Sequence, residues 1–181
     1  MKPKECEDCP LYKEPGPLLI EFTSDRIDVL FLGHAPPLHD IVVEKHFTAA
    51  PILWSSIKDY GINSYGITDV WKCRFPGRFN NGMILYQYCL KLLQGEIERY
   101  QPKILMTFGF FVIRALEENA YIGGKPYNAS SCNGKLFRWK EFNNMLVIPM
   151  KQPANEESGQ YIEVWNEGFN KLREVLNGVP I

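Results

Sequence analysis

At 181 residues, 45% hydrophobic and 13% aromatic, the chain can bury one substantial core, and its length favours a single domain over residues 1–181. Twenty Lys and Arg against 21 Asp and Glu leave a formal net charge of −1, which speaks against a wholly basic nucleic-acid wrapper but leaves room for a local basic patch. No run approaches the roughly 18 apolar residues of a membrane span. The N-terminal Met-Lys-Pro-Lys-Glu-Cys has no hydrophobic stretch suited to a secretory signal, so an intracellular, cytoplasmic protein with no membrane partner is expected.

Cys6 and Cys9 open the chain as Cys-Glu-Asp-Cys. Residues 27–32 form an apolar stretch with one polar break, ending in Gly33 and then Pro36-Pro37, the pattern of a buried strand running into a loop. All three histidines, His34, His39 and His46, fall in the segment after that strand. Apolar positions three and four apart predict amphipathic helices over 51–60, 83–99, 110–119 and 163–176. Further strands are predicted over 65–71, 103–108 and 144–149. Strands alternating with helices imply an α/β fold: a three-layer α/β/α sandwich around a central, mostly parallel four-stranded sheet, with ligands at the carboxyl ends of the strands.

Fifteen residues separate Cys73 from Cys89, and sixty-three separate Cys9 from Cys73. Thiolates gathered in fours hold tetrahedral zinc or an iron–sulfur cluster, and a pair two residues apart is a usual seed of such a site. In a reducing compartment disulfides are rare, so metal explains Cys6, Cys9, Cys73 and Cys89 better than bridges do, with Cys132 left as a free thiol. The long gap suits a structural site within a larger domain.

The order of these elements resembles the iron–sulfur uracil-DNA glycosylases, the family 4 branch of the uracil-DNA glycosylase superfamily, along nearly the whole chain. The matching pieces are Cys6-x-x-Cys9-Pro10-Leu11-Tyr12, the strand and loop from Val29 to Pro37, Ile67-Thr68-Asp69-Val70-Trp71-Lys72-Cys73-Arg74-Phe75-Pro76-Gly77, Cys89, the strand from Pro102 to Phe108 with Gly109, and Ile148-Pro149-Met150-Lys151-Gln152-Pro153-Ala154. The resemblance implies that the four cysteines ligate a [4Fe-4S] cluster, with zinc the alternative that thiolate ligands leave open. It also implies a pocket for a base flipped out of DNA, built by Gly33 and Ala35, with Phe47 stacking on the base. A bare aromatic in this position would otherwise be read as core.

Three motifs depart from the family. Its loop Gly-Glu-Ala-Pro-Gly is here Gly33-His34-Ala35-Pro36-Pro37, so a carboxylate implicated in water positioning becomes an imidazole. The Asn that reads the base edge becomes Asp69, which accepts only when ionised; the structural alternative is a turn cap. The His of the last motif becomes Gln152, a neutral donor, and beyond it Asn155-Glu156-Glu157-Ser158-Gly159 would repel phosphate. Lys72, Arg74 and Arg78 form the remaining positive cluster, expected either to track a DNA backbone or to be a solvated loop.

The expectation is a monomeric glycosylase acting in base excision on single-stranded DNA or uracil-containing duplex, hydrolysing the N-glycosidic bond of uracil or another deaminated base. His34 would activate water or stabilise charge, and Gln152 would hydrogen-bond to the leaving base. The alternative is a catalytically degenerate iron–sulfur protein that binds nucleic acid or another partner.

Overall fold

The computed structural model describes residues 3–17, 20–42, 45–48, 50–74, 82–109, 112–113, 134–139, 144–153 and 159–178. A short 3-10 turn at Lys4–Cys6 precedes β1 (Glu21–Phe22), β2 (Val29–Gly33), α1 (Leu38–Val42), α2 (Pro51–Asp59), β3 (Tyr65–Asp69), α3 (Gly82–Tyr100), β4 (Ile104–Phe108), β5 (Phe137–Trp139), β6 (Met145–Met150) and α4 (Gly159–Leu176). The four strands predicted from the sequence are β2, β3, β4 and β6. The predicted helix over 110–119 lies outside the described residues except at 112–113, which are helical.

Among the described residues the sheet has six strands, not four, in the order β1-β3-β2-β4-β6-β5. β3, β2, β4 and β6 are mutually parallel, while β1 and β5 add antiparallel edges. These edges are two and three residues long, too short to carry a period-two signal, which is why a mostly parallel four-stranded sheet was expected where the structure has a mixed one with two added edges.

Every residue of β2 and β4 is buried, the mark of strands covered on both faces. Alternation along β2 sorts its side chains between two cores. Leu30 and Leu32 pack with Leu93 and Ile97 of α3 on one face. Val29 and Phe31 pack with Leu53 and Ile57 of α2 and Trp165, Phe169 and Leu172 of α4 on the other. The second core is aromatic: the Phe108 ring stacks on Trp165 at 5.7 Å and on Phe31 at 6.1 Å. Neighbours of β2 on its two sides are reached by connections leaving in opposite directions, so the carboxyl end of β2 is a switch point where such sheets form a crevice.

Candidate functional site

A cavity of about 120 Å³ opens at that end of the sheet. His34 and Ala35, just past β2, form one wall, and Asp69, the last residue of β3, forms another. Gln152 and Pro153 enter from the segment after β6, and Phe47 and Ala50 from the segment before α2, so four separate stretches of chain meet here.

Asp69 is 4% exposed, and its Oδ2 lies 2.9 Å from Nδ1 of His46, which is fully buried. An ionised carboxylate only accepts, so the imidazole N–H is the donor. His46 is itself held by its backbone N–H, which donates to the carboxylate of Glu21 on β1. The edge strand that left no signal in the sequence thus fixes the partner of Asp69. The other carboxylate oxygen of Asp69 lies over Gly33, where a Cβ would come within 2.2 Å of Oδ1 and 2.5 Å of the Phe47 ring. Only glycine fits beneath both side chains.

Phe47 adopts φ of 51°, a left-handed conformation uncommon for a residue bearing a bulky side chain. Its neighbours hold it there: its carbonyl accepts from Trp54 Nε1–H at 3.0 Å and from the Ala50 N–H at 3.0 Å. The ring meets Phe108 edge-on at 5.5 Å and lines the cavity, so it belongs partly to the core and partly to the site. Thr48 donates from its hydroxyl to buried Asp40, a second carboxylate on the cavity wall.

The half-buried His34 ring stands edge-on to Trp71 with centroids 4.5 Å apart. Burial lowers its pKa from the ordinary 6.5, with the negative charge of Asp69 pulling the other way. Gln152 is exposed; its carbonyl accepts from the Tyr161 hydroxyl at 3.2 Å, which anchors the backbone that presents the amide. His34, Ala35, Phe47, Asp69 and Gln152 therefore line one cavity, with Gly33 beneath it. His46 and Asp40 also belong to the site and were missed. The clustering of the histidines was the sole hint, because spacing says nothing about which carboxylate a histidine will meet.

Cys73, four residues past the end of β3, belongs to the cysteine set. Cys6, Cys9, Cys73 and Cys89 are all buried and line one small pocket with Leu11, Tyr12, Lys72 and Tyr88. Burial raises the Cys89 thiol, partly offset by the Lys72 backbone N–H and the Lys72 charge. Among the described residues, no group of three or more His, Cys, Asp or Glu is arranged to hold a metal ion.

Lys72 is not on a DNA-facing surface. Its side chain is fully buried, with Nζ 2.5 Å from Glu96 Oε2 of α3 and donating to Thr68 Oγ1 at 2.5 Å. Enclosed in this way, the ammonium is spent on the core and has no access to phosphate. Arg74 is exposed, its backbone N–H donating to the Pro15 carbonyl at 3.0 Å, and Arg78, Cys132 and residues 155–158 lie outside the described residues.

No curated protein matches this chain. The family model described as Uracil DNA glycosylase superfamily matches residues 20–168, a span that begins just ahead of β1 and ends within α4. It covers every residue of the cavity together with Cys73 and Cys89, and leaves Cys6 and Cys9 ahead of it. The chain belongs to the uracil DNA glycosylase superfamily.

Proposed function

We propose that this chain is a DNA glycosylase that hydrolyses the N-glycosidic bond of uracil or another deaminated base. The observation that carries the reading is the convergence of Phe47, Asp69, His34 and Gln152 on one cavity at the switch point of the sheet. A base taken out of the stack needs an aromatic face, an edge reader and a donor for the charge that builds as the bond breaks. Phe47 supplies the face and Asp69 the edge acceptor. Water attacks C1′ and gives its proton to neutral His34, while the bonding pair of the C1′–N bond leaves with the base, whose carbonyl oxygen accepts from the Gln152 amide.

The four buried thiols sharing one pocket support a metal–thiolate group there, a [4Fe-4S] cluster in preference to zinc. Such a group would tie the N-terminal turn to α3 and to the end of β3, and no catalytic step passes through it. Iron and acid-labile sulfide in anaerobically purified protein test this, with about four iron atoms per chain expected. Stoichiometric zinc without sulfide overturns it.

The protein is proposed to act as a cytoplasmic monomer on single-stranded DNA or uracil-containing duplex. No helix among the described residues is long and apolar enough to cross a membrane. Strand cleavage at abasic sites, measured on oligonucleotides carrying uracil, hypoxanthine or xanthine, is the direct test. Release of none of the three would favour the second reading, a binding protein that has lost turnover, which the neutral Gln152 in the charge-stabilising position supports.

A further inference from the structure

We propose that His46 is a positioning residue that holds Asp69 as an acceptor-only carboxylate. The cavity then selects a base by the ring N–H on its exposed edge, the atom that deamination creates. This rests on the base-pocket reading above and adds the rule by which the pocket chooses.

The carboxylate of Asp69 has two oxygens with different surroundings. Oδ2 is taken by His46 Nδ1 at 2.9 Å, in a contact where both side chains are almost fully buried. Oδ1 sits on the side of Gly33 and Phe47, and Phe47 and Asp69 both line the cavity. A ring N–H at Nδ1 donates across this contact, and Oδ2 accepts. The carboxylate accordingly accepts at both oxygens, and Oδ1 is the one turned toward the base.

Cytosine and adenine each present a ring-nitrogen lone pair on the pairing edge, N3 and N1 respectively. Deamination to uracil or hypoxanthine places a proton on that nitrogen and converts the acceptor to a donor. An anionic acceptor aligned with this atom is attracted to the deaminated base and repelled by its parent. An amide in the same place reads the ring N–H and the neighbouring carbonyl together, whereas Asp69, with Oδ2 engaged, reads the ring nitrogen alone. Without His46, the carboxylate can turn and accept from the exocyclic amino group of cytosine, and discrimination falls.

The probes are single-stranded oligonucleotides carrying one 2′-fluoro-2′-deoxyuridine, its N3-methyl derivative, 2′-fluoro-2′-deoxycytidine or an abasic analogue. The 2′-fluorine disfavours the cationic sugar of bond cleavage, so binding is read without turnover. Wild-type protein should bind the uridine probe at least about tenfold more tightly than either the cytidine or the N3-methyl probe, the discrimination a hydrogen bond to a charged group supports. His46→Ala should bring the uridine-to-cytidine ratio toward one with abasic binding unchanged, and His46→Asn, which keeps a donor near the Nδ1 position, should restore it. Equal binding of the uridine and N3-methyl probes, preference for cytidine, or a ratio unaffected by His46→Ala overturns the inference and leaves the pocket reading standing. If no base-bearing probe binds better than the abasic strand, the pocket reading fails and the inference falls with it. The N3-methyl comparison uses wild-type protein alone, so it decides even if the His46 variants do not fold.

Discussion

Two polar side-chain pairs are buried along one short stretch of chain. Asp69 pairs with His46 at the end of β3, and Lys72, three residues on, pairs with Glu96 of α3. Both are shielded from bulk water, yet Asp69 lines an open cavity while Lys72 is sealed among Thr68, Glu96 and the cysteine pocket. Burial of charge alone does not mark a functional group. What separates the pairs is whether a member lines a space that a ligand can enter.

Removing one member of each pair sharpens the contrast. Lys72→Ala leaves Glu96 charged and buried without its partner, a change that costs about 3–5 kcal/mol where a buried pair is broken. Thermal or denaturant unfolding should register that loss. A variant as stable as wild type would mean that the interior is wetter than the packing indicates. At the cavity, Gln152→His changes an exposed side chain, so stability should hold while a charged donor returns to the leaving base. On the order of 100-fold faster single-turnover excision is expected, the lower range for a single oxyanion donor. An unchanged rate with intact folding would place the limiting defect elsewhere in the pocket.

Phe47→Ala should weaken binding of a base-bearing strand by about 1–3 kcal/mol, the worth of one stacked base, without altering abasic affinity. Equal losses on both strands would show that the ring serves the core alone, through its contact with Phe108. The smallest effect concerns His34. Because burial lowers its pKa, its neutral form persists below pH 6.5, and excision should rise with pH through a group below that value. Its contribution to stability has the matching sign: fully present above about 6.5, the unfolded value, and lost as pH falls through the lowered folded value. His34→Ala should remove the acidic limb from the pH–rate profile; a profile that keeps it assigns the base to another group.

Much of the fold was legible because β2 and β4 are apolar throughout and the helices of the two flanking layers keep a clear 3.6-residue period. The edges β1 and β5 were not, since two or three residues carry no pattern. Within the site, Phe47, Asp69 and Gln152 were reachable by position in matching motifs. His46 was not, because its role exists only where β1 and the end of β3 bring it against a carboxylate. Lys72 was misread for a related reason: a basic residue between Trp71 and Arg74 looks like a surface cluster until Glu96, on a distant helix, packs over it.

Glu96 also accepts from the Ile20 N–H at 3.1 Å through its other oxygen, joining segments 76 residues apart. Closing a loop of that length costs on the order of 4 kcal/mol in chain entropy, which no local contact repays. The N-terminal turn with Cys6 and Cys9 packs against α3 from farther still along the chain. Docking of this strap is a non-local event that needs α3 in place to receive it. The same closure encloses Cys6, Cys9, Cys73 and Cys89 in one pocket, so the strap that joins distant segments is also the wall that keeps the four thiols from water and oxidants.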